Sequence, residues 1–557
     1  MGKIKNFLIN GRDLLSRPQS GVFSAAFAIS STYGISMLLG ILRERLLVDR
    51  FYACCKEELD VYYAAFRLPD MIFQLVVIGA LSAAFIPIFS EKLAKDKKEA
   101  YLLASSLINL LLVFFLVLAV FIFIFARPFS LLITGNFSFQ QIDLMAQMTR
   151  LMLLAQIFFL ISNLFSAMIQ SHQRFLLPAL SPAIYNIGII ISVVILSRPL
   201  GIWAATIGVL FGSFLHLLIQ IPLVLKLGFK YSFGFNLKDL AVKKVVRLML
   251  PRTLSLAVSQ IEATISLFLA TSLSPGSLTI YYLAQKLADL PVRLLGTSIG
   301  QAALPTLSLQ LARNETDNFK RTINQSLGQI IYLSLPATAI FLILRVQLVR
   351  FAYGSRSFPW GATIMTGRTL AAIAFSVFSQ SAIQLLVRGF YAVHDTTAPF
   401  IVSLLSVIVN VILSIVFIFS FDLGIFGLAL GFSISNFLTF LLLLLFFNFK
   451  KEKFIFRSDF LNWLKMTFAS VVAAFGAWGT MRVLDMFVFE TSRVAPLLIL
   501  SLISASVGLL IYIIISIIFG LKELIVVLKL IKKIGDWKKY LVPEKIAELY
   551  SEAGTGV

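Results

Sequence analysis

The sequence predicts an all-α membrane protein of about fourteen transmembrane helices, arranged as two parallel-repeat six-helix bundles followed by two further helices. Three observations lead there. The 557 residues are 59% hydrophobic, with a mean hydropathy of +0.92 and only 13% charged residues, against the ~25% charged of soluble domains. Apolar runs of bilayer-spanning length recur along the chain. Segments some 220 residues apart also resemble one another.

Leu102–Ala126, Ile401–Phe419, Phe426–Phe447 and Val494–Phe519 are typical of the runs. The expected helices fall near 21–47, 60–90, 101–126, 142–171, 179–197, 201–226, 243–272, 278–310, 322–344, 366–393, 398–420, 424–448, 460–483 and 494–519. The first, apolar from Val22 to Leu42, is too long for a signal-peptide core and reads as an uncleaved anchor. Cys54 and Cys55, adjacent in an expected outer loop, supply no disulfide framework and read as incidental.

The net charge of +21 raises nucleic acid as a partner, but its distribution favours a membrane. With the N-terminus inside, inner segments hold about 29 Lys and Arg against about nine in the outer ones. Both termini are therefore expected in the cytoplasm.

The repeat is seen in Tyr62-Tyr63-Ala64-Ala65-Phe66-Arg67-Leu68-Pro69-Asp70, which aligns with Tyr281-Tyr282-Leu283-Ala284-Gln285-Lys286-Leu287-Ala288-Asp289 at an offset of 281 − 62 = 219. Two further matches are collinear: Gln170-Ser171-His172 with Ala392-Val393-His394, and Leu200-Gly201-Ile202 with Leu423-Gly424-Ile425, Gly208 then matching Gly431. An even number of helices per unit gives both halves the same orientation, with a cavity between them and alternating access. The expected units are 1–230, 231–450, two extra helices in 451–520, and a basic amphipathic cytoplasmic tail in 521–557.

Ionisable residues inside spans cost about 2.5–3.5 kcal/mol each and normally face protein or water, which makes them the candidate site. Arg43, Glu44 and Arg45 cluster on the first helix, as a snorkelling helix end or as cavity charges. Arg67 and Lys286 share a repeat position, and Asp70 and Asp289 follow them at i+3, so each half carries either a structural ion pair or a cavity cation. Arg293 falls seven residues after Lys286, on the same face of an unbroken helix. Glu262 on the preceding helix is a second acidic partner, and Arg252 begins a polar stripe on that helix that lines a cavity or joins helices. A cation-rich cavity suits an anion, and arginine matches phosphate oxygens through its planar fork. There is no P-loop, paired-glycine fingerprint or HExxH, and the histidines 172, 216 and 394 are scattered, so ATP-driven and zinc chemistry lack support. No cofactor is expected, and coupling to the membrane potential or to a monovalent cation is left open.

The chain resembles the MviN/MurJ lipid II flippases of the MOP superfamily. The resemblance lies in Asp60 to Asp70, Gly79-Ala80-Leu81-Ser82-Ala83-Ala84-Phe85-Ile86-Pro87, Gly40-Ile41-Leu42-Arg43-Glu44, Leu250-Pro251-Arg252-Thr253 and Arg388-Gly389-Phe390-Tyr391-Ala392. It implies a multi-pass protein of the bacterial inner membrane. Its cavity cations would hold the diphosphate of an undecaprenyl-linked peptidoglycan precursor while that lipid turns from the inner to the outer leaflet. Under it Arg43 and Lys286 match cavity cations, and Glu44 and Asp60 match acidic positions. Met37, Phe73-Gln74, Ile78 and Ser266 stand where the family has an arginine, an arginine pair, an acid and a sodium-linked aspartate. Arg67 and Arg293 are the residues expected to compensate. The implied partners are the lipid-linked diphosphate substrate, anionic lipids at the tail and cell-wall synthesis machinery, with no nucleic acid. The alternatives are a flippase for another polyprenyl-linked glycan, a multidrug-type exporter, and a membrane scaffold.

Overall fold

The computed structural model describes residues 22–78, 85–234, 240–393, 395–450, 457–488 and 494–525. Every element among them is helical. Among the described residues nine helices are long and apolar enough to cross a membrane, ten if the pair Trp360–Ala374 and Val377–Ala392, bent by 41°, counts as one span. Backbone amides in hydrocarbon find partners only within a helix, so long apolar runs become helices, and the capping falls where they return to water. Asp96 accepts from Lys98 N at 2.7 Å to start Lys97–Ile124. Ser138 and Gln141 form a reciprocal capping box that starts Phe139–Ser171.

In lipid, close packing of small residues does much of the work of joining helices. A Cβ on Gly188 would lie 2.5 Å from the Cα of Gly212, so Leu176–Leu200 and Trp203–Leu218 touch backbone to backbone. The repeat-related pair behaves alike: a Cβ on Gly208 would lie 3.0 Å from the Cβ of Ser192, and one on Gly431 would lie 2.5 Å from the Oγ of Ser414. The two last spans, Arg457–Phe487 and Val494–Ile518, pack on each other, and Tyr512 donates to Tyr332 O at 2.8 Å to tie them to Thr316–Ile343.

The expected first, second and eighth helices differ most from the sequence reading. The first does not stop at 47: Val22–Ala65 runs on as 44 residues, with non-helical geometry only at Cys55 (φ −146°, ψ 43°). Cys54 and Cys55 are bonded to each other as a vicinal disulfide rather than sitting free in a loop. The second helix continues as Arg67–Phe73 and then opens into a wide π turn over Gln74–Ile78. The seventh is Leu240–Thr271, of which only Leu256–Thr271 is strongly apolar. The eighth is Ser277–Pro291, followed by a π turn over Val292–Thr297 and then Ser298–Ala312. Both π turns follow the repeated charged segment, so the two halves share the same interruption. The tail from 526 onward, His394 and the side chain of Arg252 lie outside the described residues.

The larger hydrophobic cluster crosses the expected 230/231 boundary, because Ser277–Pro291 docks on the first helix. Asp60 makes that junction. Its buried carboxylate accepts from Gly276 N at 2.6 Å, Thr279 N at 2.8 Å and Thr279 Oγ1 at 2.6 Å. It thus caps a helix that starts after Gly276, whose φ of 91° suits glycine. Each buried donor left unpaired costs about 1–3 kcal/mol. Asp60→Ala is expected to lower the midpoint of thermal unfolding in detergent clearly, with Asp60→Asn intermediate; an unchanged midpoint in both would remove the clamp.

Candidate functional site

On the first helix Glu44 is buried and ion-paired with Arg43. Its other oxygen, Oε2, accepts from Tyr63 Oη at 2.7 Å. Arg43 also donates to Asn186 Oδ1 at 3.0 Å, and Asn186 donates in turn to Ser36 O at 3.2 Å. The Tyr63 ring stacks on Tyr282 at 4.3 Å between centroids, and Lys286 Nζ sits 5.0 Å from the centre of the same Tyr282 ring. Tyr63 and Tyr282 occupy one repeat position, so the duplication places its own copies face to face.

Arg43, Tyr63, Tyr282 and Lys286 line a cavity of about 460 Å3 together with Tyr62, Asp70, Gln156, Tyr185 and His216. Its cations are Arg43 and Lys286, whose helices come from different halves. Among the described residues no carboxylate lies within ion-pair distance of Lys286. Asp289 turns to Arg293 instead, at 3.6 Å. Asp70 accepts from Gln156 Nε2 at 2.8 Å. His216, bonded through Nδ1 to Ser162 at 2.6 Å, belongs to a buried polar network with Gln220 that joins helices.

A second cavity of about 320 Å3 lies alongside, lined by Arg67, Asp70, Glu262, Ser266, Tyr281 and Gln285 among others. Arg67 forms no ion pair with Asp70. Its guanidinium donates to Thr264 Oγ1 at 2.9 Å, Gln260 O at 2.8 Å and Gln260 Oε1 at 2.5 Å. The i+3 spacing brings the two groups near, but partners on neighbouring helices satisfy each separately. Glu262 does not serve Lys286 or Arg293; it accepts from Asn410 Nδ2 at 2.8 Å.

The structure therefore brings Arg43 and Lys286 to one cavity, with Glu44 paired to Arg43 behind its wall, and places Arg67 and Glu262 at the neighbouring cavity. Asp60 acts as the helix clamp described above. Arg293 departs from expectation, for its side chain is 67% exposed and it lines neither cavity. The reason is the π turn at Val292: heptad spacing keeps a face only in unbroken α-helix, and the wider turn shifts the phase. Sequence reasoning missed Asn186, Gln156 and the Tyr63–Tyr282 stack. The tyrosines carried a signal in their coincidence in the repeat, and so did Asn186, which the repeat matches with Asn410; Gln156 carried none.

Long apolar helices around a cavity that holds Arg43, Lys286 and Asp70 within the membrane-spanning part define the class: a multi-helix membrane carrier. The chain matches the family described as "Lipid II flippase MurJ" over residues 56–519, and it belongs to that family. A probable lipid II flippase MurJ of Bdellovibrio bacteriovorus is 28% identical over 407 residues, covering 72% of this chain and 77% of that one. The lipid II flippase MurJ of Burkholderia cenocepacia is 26% identical over 410 residues, covering 71% and 78%. Among solved structures, "Lipid II flippase MurJ, inward closed conformation" superposes with a TM-score of 0.73 at 26% identity, covering 88% of this chain and 98% of that one. An inward-facing multidrug MATE transporter of the MOP superfamily shares the fold, with a TM-score of 0.62 at 13% identity over 77% of this chain and 98% of its own. The protein is thus a transporter of the MurJ family and a multi-pass bacterial inner-membrane protein, not a soluble enzyme.

Removing one member of a buried ion pair costs about 3–5 kcal/mol, whereas replacing both by apolar groups is often near neutral. Glu44→Ala is accordingly expected to lower the unfolding midpoint more than Arg43→Met/Glu44→Met does. The opposite order of midpoints would show that Glu44 does not neutralise Arg43.

Proposed function

We propose that this chain turns lipid II, an undecaprenyl-diphosphate-linked peptidoglycan precursor, from the inner to the outer leaflet by alternating access, with Lys286 and Arg43 holding the diphosphate. The observation that carries this is Lys286: a half-buried ammonium on an aromatic face, opposite Arg43, with no carboxylate within ion-pair distance among the described residues. Such a charge is free to take an anion, and Arg43 adds a planar donor. Arg67 is held by Thr264 and Gln260, and in this reading it sets the field of the neighbouring cavity rather than replacing the family's missing arginines. The duplicated bundles, 1–230 and 231–450, rock about the cavity. Both termini lie in the cytoplasm, which follows from the Lys and Arg bias, and the basic tail meets anionic lipid and cell-wall synthesis machinery at the inner face.

The test is flipping of labelled lipid II in proteoliposomes, beside labelled polyprenyl-linked glycans of other structure. Lys286→Gln and Arg43→Gln are each expected to cut the rate about tenfold or more, the weight of one charge-assisted contact, while Arg293→Gln stays near wild type. Normal lipid II flipping in the Lys286 and Arg43 variants sinks the assignment of the site, and faster flipping of another glycan sinks that of the substrate.

Coupling is proposed to run through Glu262. Ser266 stands where the resembling family has a sodium-linked aspartate, and Glu262 is one helical turn before it on the same cavity wall. Its only hydrogen bond in the described residues is from a neutral amide, so it can take up a monovalent cation or a proton. A cation gradient or membrane potential is expected to accelerate the wild type but not Glu262→Gln; an equal response in both rules Glu262 out.

A further inference from the structure

A third pocket, of about 480 Å3, shares no lining residue with the two central cavities. Its walls are one face of the first helix, at Leu42, Arg45, Leu46 and Asp49, and the C-terminal end of the short helix Arg345–Tyr353 with the loop that follows, at Arg350, Gly354, Ser355 and Arg356. Arg45 follows Arg43 by two residues, about 200° around the helix, so the first helix sends one arginine to the central cavity and the other to this pocket.

The pocket is built, not merely charged. Arg45 Nη1 donates to Phe351 O at 3.3 Å and Arg350 Nη1 to Phe358 O at 3.2 Å, which fixes both guanidinium groups while leaving other N–H donors unused. Gly354 N donates to Arg350 O at 2.8 Å, and a Cβ on Gly354 would lie 2.1 Å from that oxygen, so the loop folds tightly against the helix end. The Oγ of Ser355 is buried with no hydrogen-bond partner. Among the described residues none of Arg45, Arg350, Arg356 and Asp49 makes an ion pair, so three arginines against one aspartate leave an excess of positive charge.

Hydrophobic side chains surround the charges. Leu42, which lines the pocket, and Phe351, whose carbonyl accepts from Arg45, are exposed large apolar residues. Aromatic side chains next to arginines are the composition of a membrane–water interface. An anion reaching this pocket therefore arrives with an acyl or prenyl chain beside it. We propose that the pocket binds the phosphate of a lipid headgroup, a second anion site separate from the central cavity. On the orientation proposed above it faces the outer leaflet. Two lipids carry this chemistry there: an anionic phospholipid and a polyprenyl diphosphate that has just crossed. The diphosphate alternative rests on the flippase reading, and the phospholipid one does not.

Native mass spectrometry of the full chain in detergent tests it, with phosphatidylglycerol, undecaprenyl diphosphate, and diacylglycerol as the phosphate-free control. The diphosphate arm is run in a Lys286→Gln background so that the central cavity does not mask the pocket. Arg350→Gln/Arg356→Gln is expected to weaken binding of at least one phosphate lipid about tenfold or more, leaving diacylglycerol unchanged. Whichever phosphate lipid loses affinity identifies the source. Should the double variant fail to fold, Arg356→Gln, at an exposed position, is read the same way with a smaller loss. Both lipids binding as tightly to the variants as to wild type overturns the proposal, as does an equal loss for diacylglycerol. A failure of lipid II flipping in the transport assay leaves the phospholipid result standing, so the two readings fail separately.

Discussion

The carboxylate of Glu44 holds the site together. It is buried in a helix whose surroundings are apolar, so its charge has to be answered locally. One oxygen pairs with Arg43 and the other takes the Tyr63 hydroxyl. That hydroxyl fixes a ring, the ring stacks on Tyr282, and Tyr282 carries Lys286. A carboxylate on the first helix thus orients a cation on the eighth expected helix through two aromatic rings, with no carboxylate in contact with that cation. The junction of the halves and the electrostatics of the cavity are one structure.

Duplication explains why the rings meet. On the duplication read from the sequence, two copies of a helix approach each other at equivalent positions, and Tyr63 meets Tyr282. The symmetry is then broken by chemistry. Asp60 and Thr279 also share a repeat position, separated by 219 residues, yet they bond to each other as carboxylate acceptor and hydroxyl donor. Arg67 and Lys286 share another, but Arg67 is tied by the glutamine and threonine of a neighbouring helix while Lys286 meets Tyr282. One copy became a fixed post and the other kept a usable charge.

What the sequence made legible follows from what reports locally. Bilayer-length apolar runs specify helices because the backbone has no alternative in lipid, and most of the expected spans appear within a few residues. Arg43, Glu44 and Lys286 were readable because an ionisable residue in a span needs a reason. Arg293 was not, since its placement depended on an unbroken helix and Val292–Thr297 opens into a π turn. The separate partners of Arg67 and Asp70 were not either, because Gln260 and Gln156 come from other helices and no spacing rule includes them. The first helix overran its expected end for a similar reason: a charged stretch after residue 47 looks like a loop in isolation but is held as helix by the halves that bury Leu47, Val48, Phe51 and Leu59.

The partner chosen for Lys286 bears on how a carrier can work at all. Had it been paired with a buried carboxylate, an arriving diphosphate would have to break that pair, at about 3–5 kcal/mol, and displace a like charge. Left bare, the ammonium would face the cost of its burial each time the cavity emptied. An aromatic face lies between these extremes, worth about 0.5–2 kcal/mol. The ring steadies the cation without neutralising it, and it does not compete with an anion for the remaining N–H donors. Arg43 is the contrasting case, neutralised by Glu44 and available mainly as a rigid donor. On the proposed reading, one cation held on a ring and one carboxylate-paired donor suit a doubly anionic group that has to be released again.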